Sequence, residues 1–483
     1  MKSNLLYILA LGLLSSSCSK WIDKEPIGIL TQEQVQVDPT EGTVATGIDN
    51  AYRPLAYTLN LFGDWDWKGG LVIRPDFILE DMASGDALKK WSPDGDQPWM
   101  DDIANFNFTA ESGAFAGLWK FDYEGISRAN MGIFQLTDAN TLSKLNMSED
   151  KRKQLLAEAY FLRSFYYFDL TKYFGDVPLL LKPLKDFSDA YEVAVKTPKA
   201  DIYTQIKSDL ELAIAYFPNA RFSSGDKWRA SKGAALALRA KVALFEEDWA
   251  GVISYVNQLE QTGYFSLNPN YFDSFNSNKS YTETENIFIY DHEEGKQPSR
   301  GNGLTALMGW GFLAPSSNLL NSYEANDPRK DSTVNVNDQA VYKLLGATST
   351  KYKGNENSPV NRIYIRYADV LLWKAEALIK TNQVATGISI INQIRKRARG
   401  NNASILADRA TTDATQAIQF LQHERRVELG LESHRFSDLR RWKTAKTILT
   451  GLGKPFMDKH YLYPIPQAEV DKTVGKISQN QGY

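Results

Sequence analysis

The sequence predicts a mainly α protein, built of stacked tetratricopeptide-like helical hairpins interrupted by long, loop-rich insertions. Three observations carry that expectation. Apolar residues recur at three- and four-residue steps through most of the chain beyond about Phe115. Two distant segments repeat each other at a constant offset. The stretches between periodic segments shift to Gly, Pro, Asp, Asn and Ser. With 483 residues, 43% hydrophobic and 23% charged, the chain has the material for a large core. No linker divides it, so a single domain is expected over 18–483.

In chain order, Lys2 precedes the apolar run Leu5 to Leu14, followed by Ser15 to Ser17 and then Cys18, the pattern of an export signal over 1–17. As a helix the run covers roughly 15 Å, half of a ~30 Å hydrocarbon layer, so it is too short for a settled span. Cys18 stands where a signal peptidase would cut, and the segment resembles a bacterial lipobox, whose cysteine is acylated and holds the mature chain at a membrane face. Cys18 is also the only cysteine, which leaves no thiol for disulfides, thiolate catalysis or Cys-based metal sites.

The first insertion, residues 60–110, carries Trp65, Trp67, Trp91 and Trp99. Lys151 to Phe174 then places Leu155, Ala159, Leu162, Tyr166, Leu170 and Tyr173 on one stripe, which Gly175 and Pro178 end. Further helices are expected over 201–217, 232–246 and 249–261 and, after a second insertion at 264–350, over 366–380, 384–398 and 414–429. Aligning Ala240 with Ala375 pairs Ala250 with Ala385, Ile253 with Ile388, Val256 with Ile391, and Asn257-Gln258 with Asn392-Gln393. Each copy is helix, short turn, helix, with small alanines where two helices approach closely. Such hairpins bury their apolar faces only by stacking.

Lys+Arg 55 against Asp+Glu 58 gives a net charge of −3, without the basic excess of a nucleic-acid binder. The four histidines show no ligand spacing, and Asp94-Gly-Asp96 with Asp101-Asp102 resembles a calcium loop only superficially, because Pro98 and Trp99 interrupt it. No nucleophile elbow, phosphate loop or dinucleotide fingerprint is present, so no metal or cofactor is expected. Paired carboxylates for glycoside hydrolysis stay open, since only spatial separation defines them.

The tryptophans divide into two groups. Trp119, Trp228, Trp249, Trp373 and Trp442 sit within or beside helical stripes and are assigned to packing. Trp65, Trp67, Trp91, Trp99 and Trp310 lie in Gly/Asp/Pro-rich surroundings and are the candidate ligand residues. A sugar ring can lay its C–H patch on an indole face while Asp, Asn or Arg groups bond its hydroxyls.

Several segments are similar to the SusD/RagB family of outer-membrane nutrient-binding lipoproteins: Asn361-Arg-Ile-Tyr-Ile-Arg-Tyr-Ala-Asp-Val-Leu-Leu-Trp-Lys-Ala-Glu-Ala-Leu378, Ile391-Asn-Gln-Ile-Arg-Lys-Arg-Ala398, Glu424-Arg-Arg-Val-Glu-Leu-Gly-Leu431 running on to Trp442, Tyr461-Leu-Tyr-Pro-Ile-Pro466 and Tyr323-Glu-Ala-Asn-Asp-Pro-Arg329. The resemblance implies about four tetratricopeptide-like units with a ligand face built from the insertions, and no catalysis. It implies residence on the cell outer membrane, lipid-anchored through Cys18 and surface-exposed, and partnership with a SusC-like TonB-dependent transporter that imports an oligosaccharide ligand. It also implies that Arg425, Arg435 and Asp438 tie the last helices together by charge-assisted bonds rather than touching ligand. A peptide-capturing member, a surface glycosidase and a pure protein-binding scaffold are the alternatives.

Overall fold

The structure is a computed structural model that describes residues 39–63, 65–67, 70–92, 94–296 and 299–483. The expected export signal and Cys18 lie outside the described residues. The long helices are α1 (Glu41–Tyr52), α2 (Gly113–Thr137), α3 (Glu149–Phe174), α4 (Lys199–Tyr216), α5 (Lys232–Phe245), α6 (Trp249–Gln261), α7 (Tyr367–Lys380), α8 (Val384–Arg399) and α9 (Ala414–Glu428). Each packs against the next, from α1 through to α9, which is the continuous stack that half-exposed hairpins require. Four successive helix pairs from α1 to α8 match the expected hairpin number. No helix among the described residues is long and apolar enough to cross a membrane.

Local chemistry sets the helix ends. Ser148 caps α3 by accepting from the Lys151 N–H, Glu149 and Asp150 follow in its first turn, and Gly175 ends it at φ +75°. Asp248 caps α6 by accepting from Gly251, so the tight turn between α5 and α6 is fixed from within. In the second copy of the repeat, Ala375 and Gly387 let α7 and α8 approach until a Cβ on Gly387 would lie 2.9 Å from the Ala375 carbonyl oxygen.

The excursion between α6 and α7 leaves along the strand Asn286–Tyr290 and returns along its antiparallel partner Arg362–Arg366, which delivers Arg366 to the start of α7. There Arg366 binds Glu285 at 2.7 Å, Glu428 at 2.8 Å and Glu432 at 2.7 Å. Arg329 joins Asp327 at 2.8 Å and Glu428 at 3.1 Å and also meets Glu424, while Arg397 adds Glu285 at 3.0 Å. This buried ionic web bonds the second insertion to α8 and α9, each charge answered by its opposite. The short helix α10 (Arg435–Arg441) is tied in by Arg425, which binds Asp438 at 2.9 Å and Asp369 at 2.8 Å. Arg435 departs from the expectation: it forms no ion pair among the described residues, and burial, opposed by Asp86, lowers its pKa. A single π-helical turn, Ile78–Met82, buries Glu80 and Asp81 against α10, where they take up the Ser437 and Ser433 N–H groups.

Candidate functional site

Two insertions distant in sequence are joined by one short ladder. Strand Ala87–Leu88 pairs antiparallel with Ala314–Pro315, and the pairing is extended by the Lys90 N–H donating to the Gly311 carbonyl at 2.8 Å and the Ser316 N–H donating to the Asp86 carbonyl at 2.9 Å. This registers Trp91 over Gly311. A Cβ on Gly311, which sits at φ +84°, would come within 2.4 Å of the Trp91 indole. Trp310 is the next residue along, and its ring lies 6.4 Å from that of Trp67, which in turn lies 5.5 Å from Phe312. The loop bearing Trp65 and Trp67 is seated on α2 through glycines: a Cβ on Gly117 would fall 2.2 Å from the Gly70 carbonyl oxygen.

Beneath this surface, buried Lys89 organises the following loop. Its ammonium donates to Asp94 at 2.7 Å, to Asp101 at 2.9 Å and to the Asp96 carbonyl. Burial opposes the Lys89 charge, but hydrogen bonds to Asp94 and Asp101 hold its pKa above the ordinary lysine value. Two of the acids that resembled a calcium loop, Asp94 and Asp101, therefore direct their carboxylates to a lysine. Among the described residues no cluster of three or more His, Cys, Asp or Glu side chains is placed to hold a metal ion.

Trp65, Trp91 and Trp310 are 54%, 56% and 39% exposed, high for indoles and enough to offer open ring surface. Trp67 is half-buried and backs Trp310. Trp99 is half-buried too; its indole N–H donates to Gln97 at 2.9 Å, and it makes no ring contact with the other four among the described residues. The structure thus brings the Trp67 and Trp310 rings together, sets Trp91 against Gly311 beside Trp310, and places Trp65 next to Trp67 through the Trp67 N–H to Trp65 carbonyl bond at 3.1 Å, whereas neither Trp91 nor Trp99 makes a ring contact with the others among the described residues. Of the tryptophans assigned to packing, Trp119 and Trp373 are buried, whereas Trp228, Trp249 and Trp442 are half-buried.

Sequence reasoning missed the supports. Phe312 backs Trp67, Lys90 holds its ammonium 5.2 Å from the Trp91 ring, and the Gly354 N–H donates to the Thr305 carbonyl at 2.9 Å. That last bond lays segment 351–354 along the short helix Leu304–Gly309 that leads into Trp310. Glycines at 309, 311 and 354 were the available signal. The assembled surface is a set of indole faces edged by one cation. It can stack on apolar ring faces at about 1 kcal/mol per contact, and its described residues form no nucleophile–base or acid–base pair.

Two family profiles match the chain: one described as the SusD family over residues 340–458, and one described as starch-binding associating with outer membrane over residues 80–244. SusD-like protein P2 of Formosa agariphila is 26% identical over 100% of both chains. A SusD-like protein of Bacteroides ovatus is 24% identical over 92% of this chain and 83% of its own. Among solved structures, surface glycan-binding protein A from Bacteroides fluxus superposes with a TM-score of 0.74 at 28% identity, covering 92% of this chain and 100% of that one. A laminarin-binding SusD-like protein gives the same TM-score of 0.74 at 24% identity, over 92% and 100% of the two chains, a likeness of fold. Trp91 and Trp99 fall inside the matched segments, while Trp65, Trp67 and Trp310 fall outside both.

Proposed function

We propose that this chain, which matches the SusD profile over residues 340–458 and the starch-binding outer-membrane profile over residues 80–244, is a SusD-like cell-surface lipoprotein that binds oligosaccharides or polysaccharides without turning them over. In this reading Cys18 carries the acyl anchor in the outer membrane, and the bound glycan passes to a SusC-like TonB-dependent transporter. The glycan reading is supported by the meeting of the Trp67 and Trp310 rings from two insertions, with exposed Trp91 packed against Gly311, the residue after Trp310. Indole faces match the C–H patches of pyranose rings, and Lys90 beside Trp91 offers a donor for a hydroxyl or ring oxygen. Among its described residues the same surface has no arrangement that would activate water. Trp65 is assigned to its margin, and Trp99 to a more distant contact.

Affinity electrophoresis over a panel of plant and host glycans tests the reading. The native chain is expected to be retarded by at least one glycan without releasing reducing ends. Replacing Trp91 and Trp310 by Ala is expected to weaken that retention about 10- to 30-fold with the fold intact. Unchanged retention would remove the platform, and reducing ends released by the native chain but not by a specific Asp or Glu variant would remove the non-catalytic reading.

A further inference from the structure

A cavity of about 550 Å3 opens at one edge of the helical stack, and none of its lining residues belongs to the tryptophan platform. Its wall is made by the ends of successive helices. Lys172 comes from the end of α3, Lys199 from the start of α4, Phe245 from the end of α5, Trp249 from the start of α6 and Lys380 from the end of α7, and α10 closes the far side. Antiparallel stacking brings these termini to one edge, and the insertions play no part in it.

The lining is electrostatically one-sided. Lys172, Lys199, Lys380, Arg440, Arg441 and Lys443 face only two carboxylates, Glu247 and Glu376. Glu376 is already engaged, accepting from Arg441 at 2.7 Å and from the Trp442 indole at 2.8 Å, and Lys172 is answered by Asp169 at 2.7 Å. Lys199, Lys380, Arg440 and Lys443 form no ion pair with any described residue. Buried Arg440 donates only to the Tyr461 carbonyl and the Ser437 hydroxyl, both at 3.2 Å, and its Nε has no partner among the described residues. Helix C-termini at α3, α5 and α7 offset part of this charge, while the N-termini of α4 and α6 add to it. Lys443 takes the left-handed position that terminates α10, where the Thr444 N–H donates to the Leu439 carbonyl at 3.0 Å. Burial, with Arg440 nearby and only partly opposed by Glu246 and Asp176, holds the Lys199 ammonium below its ordinary range.

We propose that this edge cavity is a second binding site, and that it captures a short acidic polypeptide segment of a partner protein. The cations call for carboxylates. Apart from Gln422, Ser437 and the Tyr461 hydroxyl, the rest of the wall is apolar or aromatic, with Leu244, Phe245, Trp249, Ile418, Trp442 and Leu462. Apolar side chains alternating with carboxylates satisfy both surfaces. The site goes beyond glycan capture and does not depend on it.

The test uses the full chain and a fluorescein-labelled peptide of alternating Leu and Glu with a free C-terminus, read by anisotropy. Saturable binding is expected that weakens with added salt. It is expected to drop about tenfold or more when Lys199, Lys380 and Lys443 are all replaced by Gln, with glycan retention unchanged. The Trp91/Trp310 variant should bind the peptide normally. No binding by the native chain, equal binding of the Leu/Gln peptide, or full binding by the lysine variant would overturn the proposal. So would loss of peptide in the tryptophan variant, which would place it at the platform. An oligogalacturonate that bound the native chain more tightly than the peptide and was lost in the lysine variant would make the occupant a saccharide and overturn the proposal as well.

Discussion

Glu428 accepts guanidinium groups from three arginines. Burial alone would raise its pKa, yet Arg397, Arg366 and Arg329 together hold its carboxyl well below the usual range. A carboxyl depressed in this way contributes stability above its unfolded pKa of about 4.5 and loses it as pH falls through the lower folded value. Glu428→Gln leaves three buried guanidiniums short of charge, and urea denaturation at neutral pH is expected to show a loss of about 3–5 kcal/mol. Asp81 behaves in the opposite sense. Burial, only partly countered by Arg362, raises its pKa from 3.8 to about 8, so it retains its proton at neutral pH beside Ser433. The folded state therefore disfavours its ionised form. Its cost is absent below about pH 4, grows as pH rises and levels off above about pH 8. Asp81→Asn is expected to flatten the midpoint-against-pH curve in that interval, and an unaltered slope would count against this assignment. Neither behaviour was legible in the sequence, where both acids sit among many; of the three residues the resemblance implied, Arg425 and Asp438 do pair, whereas Arg435 forms no ion pair among the described residues.

At the level of elements, the repeat was the most legible part of the chain. The expected helices at 232–246, 249–261, 366–380 and 384–398 fall within a residue or two of α5, α6, α7 and α8, because amphipathic period and terminal caps are local properties. The helix α1 was missed, and so were all the strands. A two-residue strand has no period to detect, and the partner of Leu88 is Ala314, far along the chain. The tryptophans were legible as a group only because they stood outside the periodic stripes. That criterion picked out Trp65, Trp67, Trp91, Trp99 and Trp310 alike, but it could not show that the Trp67 and Trp310 rings meet or that Trp442 lines a cavity. The support for Trp67 gives an element-level prediction. Gly117→Ala would push a methyl into the Gly70 carbonyl, lifting the loop from α2. Glycan retention is expected to weaken about tenfold while the stability of the stack changes by about 1–3 kcal/mol, as read by parallel electrophoresis and thermal unfolding.

Across the whole molecule, function is separated from framework. The helix stack and ionic web provide a rigid body, the tryptophan face is carried on inserted loops, and the cationic cavity is formed by the helix ends themselves. On the proposed reading, substitution in the loops retunes the ligand without disturbing the stack, whereas substitution of Arg366 or Glu428 strikes the buried ionic web. The ladder between Ala87–Leu88 and Ala314–Pro315 closes late. During biosynthesis the early indoles emerge long before their counterpart at Trp310, so a nascent or truncated polypeptide ending ahead of that point owns half a cradle. If the proposed platform binds glycan, recognition doubles as a certificate of completed folding: fragments stopping short of residue 310 are expected to pass through a glycan gel unretarded, however helical their circular dichroism.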